Sequence, residues 1–78
     1  MKLRVLVTPK AGVLDPEGRA VHRALGDLGY GEVSEVRIGK IVELELDMDD
    51  VAAARAAVSD MCEKLLASPV IETYEILD

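Results

Sequence analysis

The stretch Lys10-Ala-Gly-Val-Leu-Asp-Pro-Glu-Gly18 closes a strand and opens a helix, and its reading sets the β-α beginning of the fold. Asp15 stands at the N-cap position, where a side-chain oxygen can accept a hydrogen bond from an amide of the first helical turn. Pro16 falls on the first helical residue, whose N–H would be unpaired anyway, and Glu17 brings negative charge to the positive end of the helix dipole. Lys10, Gly12 and Gly18 are surplus to that connection. A strand-to-helix turn needs no lysine, and a glycine in the first turn costs up to about 1 kcal/mol relative to alanine. Surplus of this kind hints at a contact.

Upstream, Leu3, Val5 and Val7 alternate with Lys2, Arg4, Leu6 and Thr8, the period-two signature of a half-buried strand ending at Pro9. Downstream, Ala20, Val21, Ala24, Leu25 and Leu28 recur at helical spacing, which predicts a helix over 16–28 with one buried face and Gly29 as its stop. His22 lies beside that stripe with no His, Cys or acidic partner at ligand spacing, so it is read as an exposed helical histidine with no role.

The segment 33–46 tests the topology. Its apolar members Val36, Ile38, Val42, Leu44 and Leu46 all carry even numbers. A two-residue hairpin loop at Gly39-Lys40 would pair Ile38 with Ile41 and drive Glu43 and Glu45 into the core, which their desolvation forbids. Two readings remain: a three-residue turn over 39–41, which is preferred, or one long strand bent at Gly39 with Lys40 on the apolar side. Asp49 or Asp50 then caps a second helix carrying Val51, Ala54, Val58, Met61, Cys62 and Leu65 on one face. Ser68-Pro69 ends it, because the residue before a proline is pushed out of the helical region. Residues 70–77 read as a last strand, with Val70, Tyr74 and Ile76 on one face and Glu72 intruding. The order β-α-β-(β)-α-β predicts a ferredoxin-like α+β sandwich, an antiparallel sheet with two helices on one face, in a single domain over 1–78. Leu6, Ile41 and Ile71 fall on the opposite parity and would leave an apolar patch beside open strand edges, so a homodimer joined through its sheets is expected.

Composition narrows the partners. Seventy-eight residues bury only about 60% of the surface their unfolded chain exposes, which makes a core marginal and association reasonable. With 9 Lys+Arg against 15 Asp+Glu, the net charge of −6 repels phosphate backbones, so no nucleic acid is expected. An RNA-reading sheet also needs stacking aromatics, and Tyr30 and Tyr74 are the only ones. Cys62 is the single cysteine, so there is no intrachain disulfide and no paired-cysteine metal motif. No run approaches the roughly 20 apolar residues of a membrane span, and the amino terminus lacks the apolar core of a leader, so a cytoplasmic protein is expected.

The chemistry is notable for what it omits. No nucleophile elbow or Ser/His or Cys/His pair is present, and the glycines of 12–18 fit neither a Walker A loop nor a dinucleotide fingerprint. Glu43 and Glu45 lack further oxygen ligands and read as a solvated strand face rather than a cation site. Cys62, on an apolar stripe, reads as core. The residues that break the local pattern are Lys10, Arg37 and Lys40, cations in or beside turns of an acidic chain, and Glu72 in the last strand. They read either as internally paired, for instance Lys40 with Glu72, or as part of a docking surface.

These segments carry a resemblance. Residues 10–18 with Ala20-Val21, then Val36-Arg37-Ile38-Gly39-Lys40, Met61-Cys62-Glu63-Lys64-Leu65-Leu66 and Pro69-Val70-Ile71-Glu72-x-Tyr74 together resemble the PurS family, the small subunit of phosphoribosylformylglycinamidine synthase. The likeness spans nearly the whole chain, in four blocks in the family's order; Ser68 departs from a common asparagine. The resemblance implies a non-catalytic subunit, at least dimeric, of the enzyme that converts formylglycinamide ribonucleotide, ATP and glutamine to the amidine, ADP, phosphate and glutamate. It implies that a large synthetase subunit (PurL) holds ATP and Mg2+, that a glutaminase subunit (PurQ) releases ammonia, and that this chain binds no cofactor or metal while bridging the two. Docking would fall to Lys10, Gly12, Asp15, Pro16, Gly18, Arg37, Gly39, Lys40 and Glu72, and the dimer contact to Leu6, Ile41 and Ile71. The alternative is a dimeric regulatory module of ferredoxin-like type that binds a small ligand at residues 12–18 and a neighbouring helix.

Overall fold

The computed structural model describes residues 1–10 and 14–77. It contains β1 (Lys2–Pro9), α1 (Pro16–Asp27), β2 (Lys40–Glu45), α2 (Val51–Met61), a π-helical turn (Cys62–Leu66) and β3 (Glu72–Leu77). β1 is the central strand of an antiparallel sheet ordered β2-β1-β3. The predicted parity decides its two faces. Val5 stands opposite Val42 on one side and Ile76 on the other, with Leu3 opposite Leu44 and Val7 opposite Tyr74, so the apolar members of all three strands share one face. α2 covers that face: Leu3, Val5, Val7, Ala54, Val58, Cys62 and Ala67 form the buried core, with Leu44, Leu66 and Ile76 packed around it. Among the described residues no helix is long and apolar enough to cross a membrane.

α2 starts where Asp50 accepts from the amides of Ala52 and Ala53 at 2.9 and 3.3 Å, one of the two caps expected. Its C-terminal end departs from the prediction. A stripe of period 3.6 carries burial from Ala54 through Val58 to Cys62 and then to Leu65, yet Leu65 is 82% exposed. The π turn supplies the reason, because each of its hydrogen bonds spans one residue more than in an α-helix and rotates the following side chains off the stripe. Leu66 and Ala67 take the inward position instead. Ala67 is already extended, so the helical path ends before Ser68-Pro69. A turn closed by the Glu72 amide on the Ser68 carbonyl (2.8 Å) then occupies the start of the expected strand. Val70, expected on its inner face, is 77% exposed.

Residues 33–46 follow neither expected course. β2 pairs with β1 and not with a hairpin partner, and residues 32–39 adopt no strand. The physical cause is competition for the backbone: the Ile38 amide donates to Asp15 rather than to a neighbouring strand. Lys40 does stand opposite Val7 at the edge of the apolar face, and Glu43 and Glu45 face solvent.

The two helices contribute unequally. α1 buries only Gly18. The expected apolar stripe of α1 stays open in the single chain, with Leu28 72% exposed. The Cα radius of gyration, 15.7 Å with extents of 48 × 23 × 14 Å, exceeds the roughly 11.5 Å of a compact chain this long. α1 and residues 28–39 therefore form an arm beside the sheet.

Candidate functional site at the root of the arm

Asp15 ties the arm to itself. Its Oδ1 accepts from the Gly18 amide at 3.0 Å, completing the N-cap, and its Oδ2 accepts from the Ile38 amide at 2.9 Å. The Ile38 amide first and the Gly18 amide second hold its carboxyl below the ordinary carboxylate range, aided by the Arg37 guanidinium and opposed by modest desolvation. This close approach explains Gly18. A Cβ there would lie 2.5 Å from the Val36 carbonyl oxygen and 2.3 Å from Asp15 Oδ2. Gly39 answers to the same constraint on the other side, since its Cβ would lie 2.5 Å from the Val7 carbonyl oxygen.

The cations at this root meet carbonyls rather than carboxylates. Arg37 donates through Nη2 to the Pro9 carbonyl. Lys10 donates through Nζ to the Pro69 carbonyl at 2.7 Å, and its amide donates to Ile71 at 2.8 Å, extending the β1–β3 pairing by one residue. His22 Nε2 lies 2.8 Å from the Val33 carbonyl oxygen, so it carries the proton there and straps α1 to the returning chain. That strap is a contact the sequence reading missed, since a histidine bonded to a carbonyl has no motif spacing.

Hollows lined by described residues surround this root. Lys10, Asp15 and Arg37 line a cavity of about 380 Å³ together with Arg19 and His22. Gly39, Lys40 and Glu72 line another, of about 350 Å³, with Glu17. Lys10 and Glu72 also border a third, of about 290 Å³, beside Cys62 and Tyr74. Pro16 is exposed at the helix start and Gly18 is buried beneath it; Gly12 lies outside the described residues. The expected Lys40–Glu72 ion pair is replaced: Glu72 Oε1 accepts from the Ser68 amide at 2.7 Å. Tyr74 Oη donates to Glu63 at 3.0 Å and lies 2.9 Å from Ser59 Oγ, a link between β3 and the helical segment that alternation cannot announce. Leu6 and Ile41 are directly paired on the open sheet face, while Ile71 lies in the turn before β3, its carbonyl accepting from the Lys10 amide.

Cys62 is fully buried, and burial followed by the adjacent Glu63 charge pushes its thiol pKa up, away from nucleophilic chemistry. Among the described residues no group of three or more His, Cys, Asp or Glu side chains could hold a metal ion. Fold and site together define an α+β protein of ferredoxin-like type whose distinctive surface is a junction where charged side chains meet backbone carbonyls and amides.

The comparisons give that class a family. Residues 2–77 match the family model described as PurS: Phosphoribosylformylglycinamidine (FGAM) synthase. The chain is 51% identical over 71 residues to the phosphoribosylformylglycinamidine synthase subunit PurS of Synechocystis sp., covering 91% of this chain and 71% of that protein. The crystal structure of Methanocaldococcus jannaschii PurS superposes with a TM-score of 0.83 at 42% identity, over 97% of this chain and 92% of that one. A chain in the structure of PurLQS from Thermotoga maritima superposes with a TM-score of 0.86 at 33% identity, over 97% and 93%. The chain belongs to the PurS family, the small subunit of phosphoribosylformylglycinamidine synthase.

Proposed function

We propose that this chain serves as the bridging subunit of a phosphoribosylformylglycinamidine synthase that uses glutamine as its nitrogen source. The observation that carries the reading is the match, over nearly the full length of both chains, to a chain of the Thermotoga maritima PurLQS structure. In this reading the chain is at least dimeric in the cytoplasm, and it joins a PurL-type synthetase to a PurQ-type glutaminase and supports ammonia transfer between them. ATP and Mg2+ reside on the synthetase. Residues 1–78 act as one domain.

The docking surface is the root of the arm. Lys10, Asp15 and Arg37 line one hollow and Gly39, Lys40 and Glu72 another, and the surface takes in Pro16, Gly18 and Gly12. Cations held by carbonyls keep their full charge for a partner. The homodimer uses the open face at Leu6 and Ile41, together with Ile71. Glutamine-dependent formation of the amidine by purified synthetase and glutaminase tests the assignment. Turnover is expected only when the chain is added, whereas an ammonium-driven reaction separates nitrogen transfer from activation of the synthetase. A chain that changes neither reaction and co-migrates with neither subunit is not this bridge.

A further inference from the structure

We propose that the cavity at the root of the arm binds a small phosphorylated anion, a property that goes beyond the bridging role. The argument begins with charge. The whole chain has 15 Asp+Glu against 9 Lys+Arg and a single histidine. Yet Lys10, Arg19, Arg37 and that histidine, His22, meet at one cavity of about 380 Å³ whose carboxylates are only Asp15 and Glu35. Three Lys or Arg residues against two carboxylates give this lining a small cationic excess that the acidic chain as a whole lacks, with the Lys10 ammonium turned to Pro69 at its border.

The lining leaves that charge available. Both Asp15 oxygens already accept from backbone amides, so Asp15 serves the fold rather than the neighbouring cations. Lys10 and Arg37 are held by the carbonyls of Pro69 and Pro9, which position a cation without neutralising it. The Arg19 side chain makes no hydrogen bond or ion pair among the described residues. His22 spends Nε2 on Val33, and its Nδ1 has no hydrogen bond among the described residues. Two guanidinium groups with N–H groups to spare suit a tetrahedral oxyanion, which accepts from several directions and gains from each charge-assisted bond. The volume falls in the range of small-molecule sites, roughly 300–1,000 Å³.

The test uses the isotope-labelled full chain, whose backbone amide signals are followed during titration with inorganic phosphate and then pyrophosphate at constant ionic strength. Saturable shifts confined to the amides around Arg19, His22, Val36 and Arg37 are expected. Arg19→Gln should weaken binding about tenfold, the worth of one charge-assisted hydrogen bond, with the remaining spectrum unchanged as the check on folding. Arg23→Gln removes the same charge from α1 outside the cavity and should leave affinity within about twofold of the parent. The proposal is overturned if phosphate produces no saturable shift, or if Arg23→Gln weakens binding as much as Arg19→Gln. It is equally overturned if acetate matches phosphate. No outcome depends on the turnover assay, so the bridging assignment stands or falls separately.

Discussion

The sheet with α2 and the arm built from α1 and residues 28–39 are stabilised by different physics. On the sheet side, Val5, Val7, Val58 and Cys62 are fully buried, and the hydrophobic effect acts on them directly. On the arm, Leu28 and Tyr30 stay largely exposed. The shape there is held by backbone amides on Asp15, by the His22–Val33 strap and by Arg37 on Pro9. The difference teaches that an amphipathic pattern states what a helix can bury, not what it buries within one chain. Within one copy α1 leaves its apolar stripe open, and its fixed points lie at its root.

If the sheet side is held by burial, the largest effect should come from opening a void in it. Val58→Ala removes two methyl-sized groups from a fully buried site of α2 facing β1. A loss of about 2–3 kcal/mol is expected in urea unfolding, from transfer and cavity terms together. A domain this small should then melt about 10 °C lower or more. Truncating Leu28 on the arm to alanine in the same assay should cost far less in a monomer. Equal losses would abolish the distinction between the two regions.

Gly18→Ala sharpens the comparison because two principles give it opposite signs. By helix propensity, alanine in the first turn should stabilise by up to about 1 kcal/mol. The new Cβ, however, would sit 2.5 Å from the Val36 carbonyl oxygen, and that backbone is held by the adjacent Ile38–Asp15 bond. Overlap of this kind typically costs about 1–3 kcal/mol, so a net loss of roughly 1–2 kcal/mol is expected, with faster exchange of the Ile38 amide than of any β1 amide. A stabilised variant would show that the arm's root yields freely.

What could be read from residues alone follows the same division. Alternation in β1, the Asp15-Pro16 helix start, the Asp50 cap and burial of Cys62 all depend on neighbours within a few residues or on period, and the structure has them. The expected hairpin turn at 39–41 failed because the Ile38 amide is taken by a carboxylate 23 residues earlier, a partner no local pattern names. Of the cavity's lining, Lys10 and Arg37 were visible as pattern-breakers and Asp15 as a helix cap. Arg19 and His22 were not, because a cation on the polar side of a helix looks like ordinary solvation until a returning chain walls it in.

The smallest expected effect is the most discriminating for the end of α2. A regular α-helix continued through Cys62 would place Leu65 on the stripe defined by Ala54, Val58 and Cys62. Truncating it would then cost the roughly 2–5 kcal/mol of a buried leucine. The π turn instead rotates Leu65 into solvent and seats Leu66 and Ala67 against the core. Leu65→Ala should therefore change urea stability by no more than about 0.5 kcal/mol, the range of an ordinary surface site. Leu66→Ala should cost more, in proportion to its partial burial. The order of the two losses is the readout: if Leu65 proves the costlier, the helix runs on without the extra residue, and the turn that delivers Glu72 to the Ser68 amide has to be rebuilt one residue out of step.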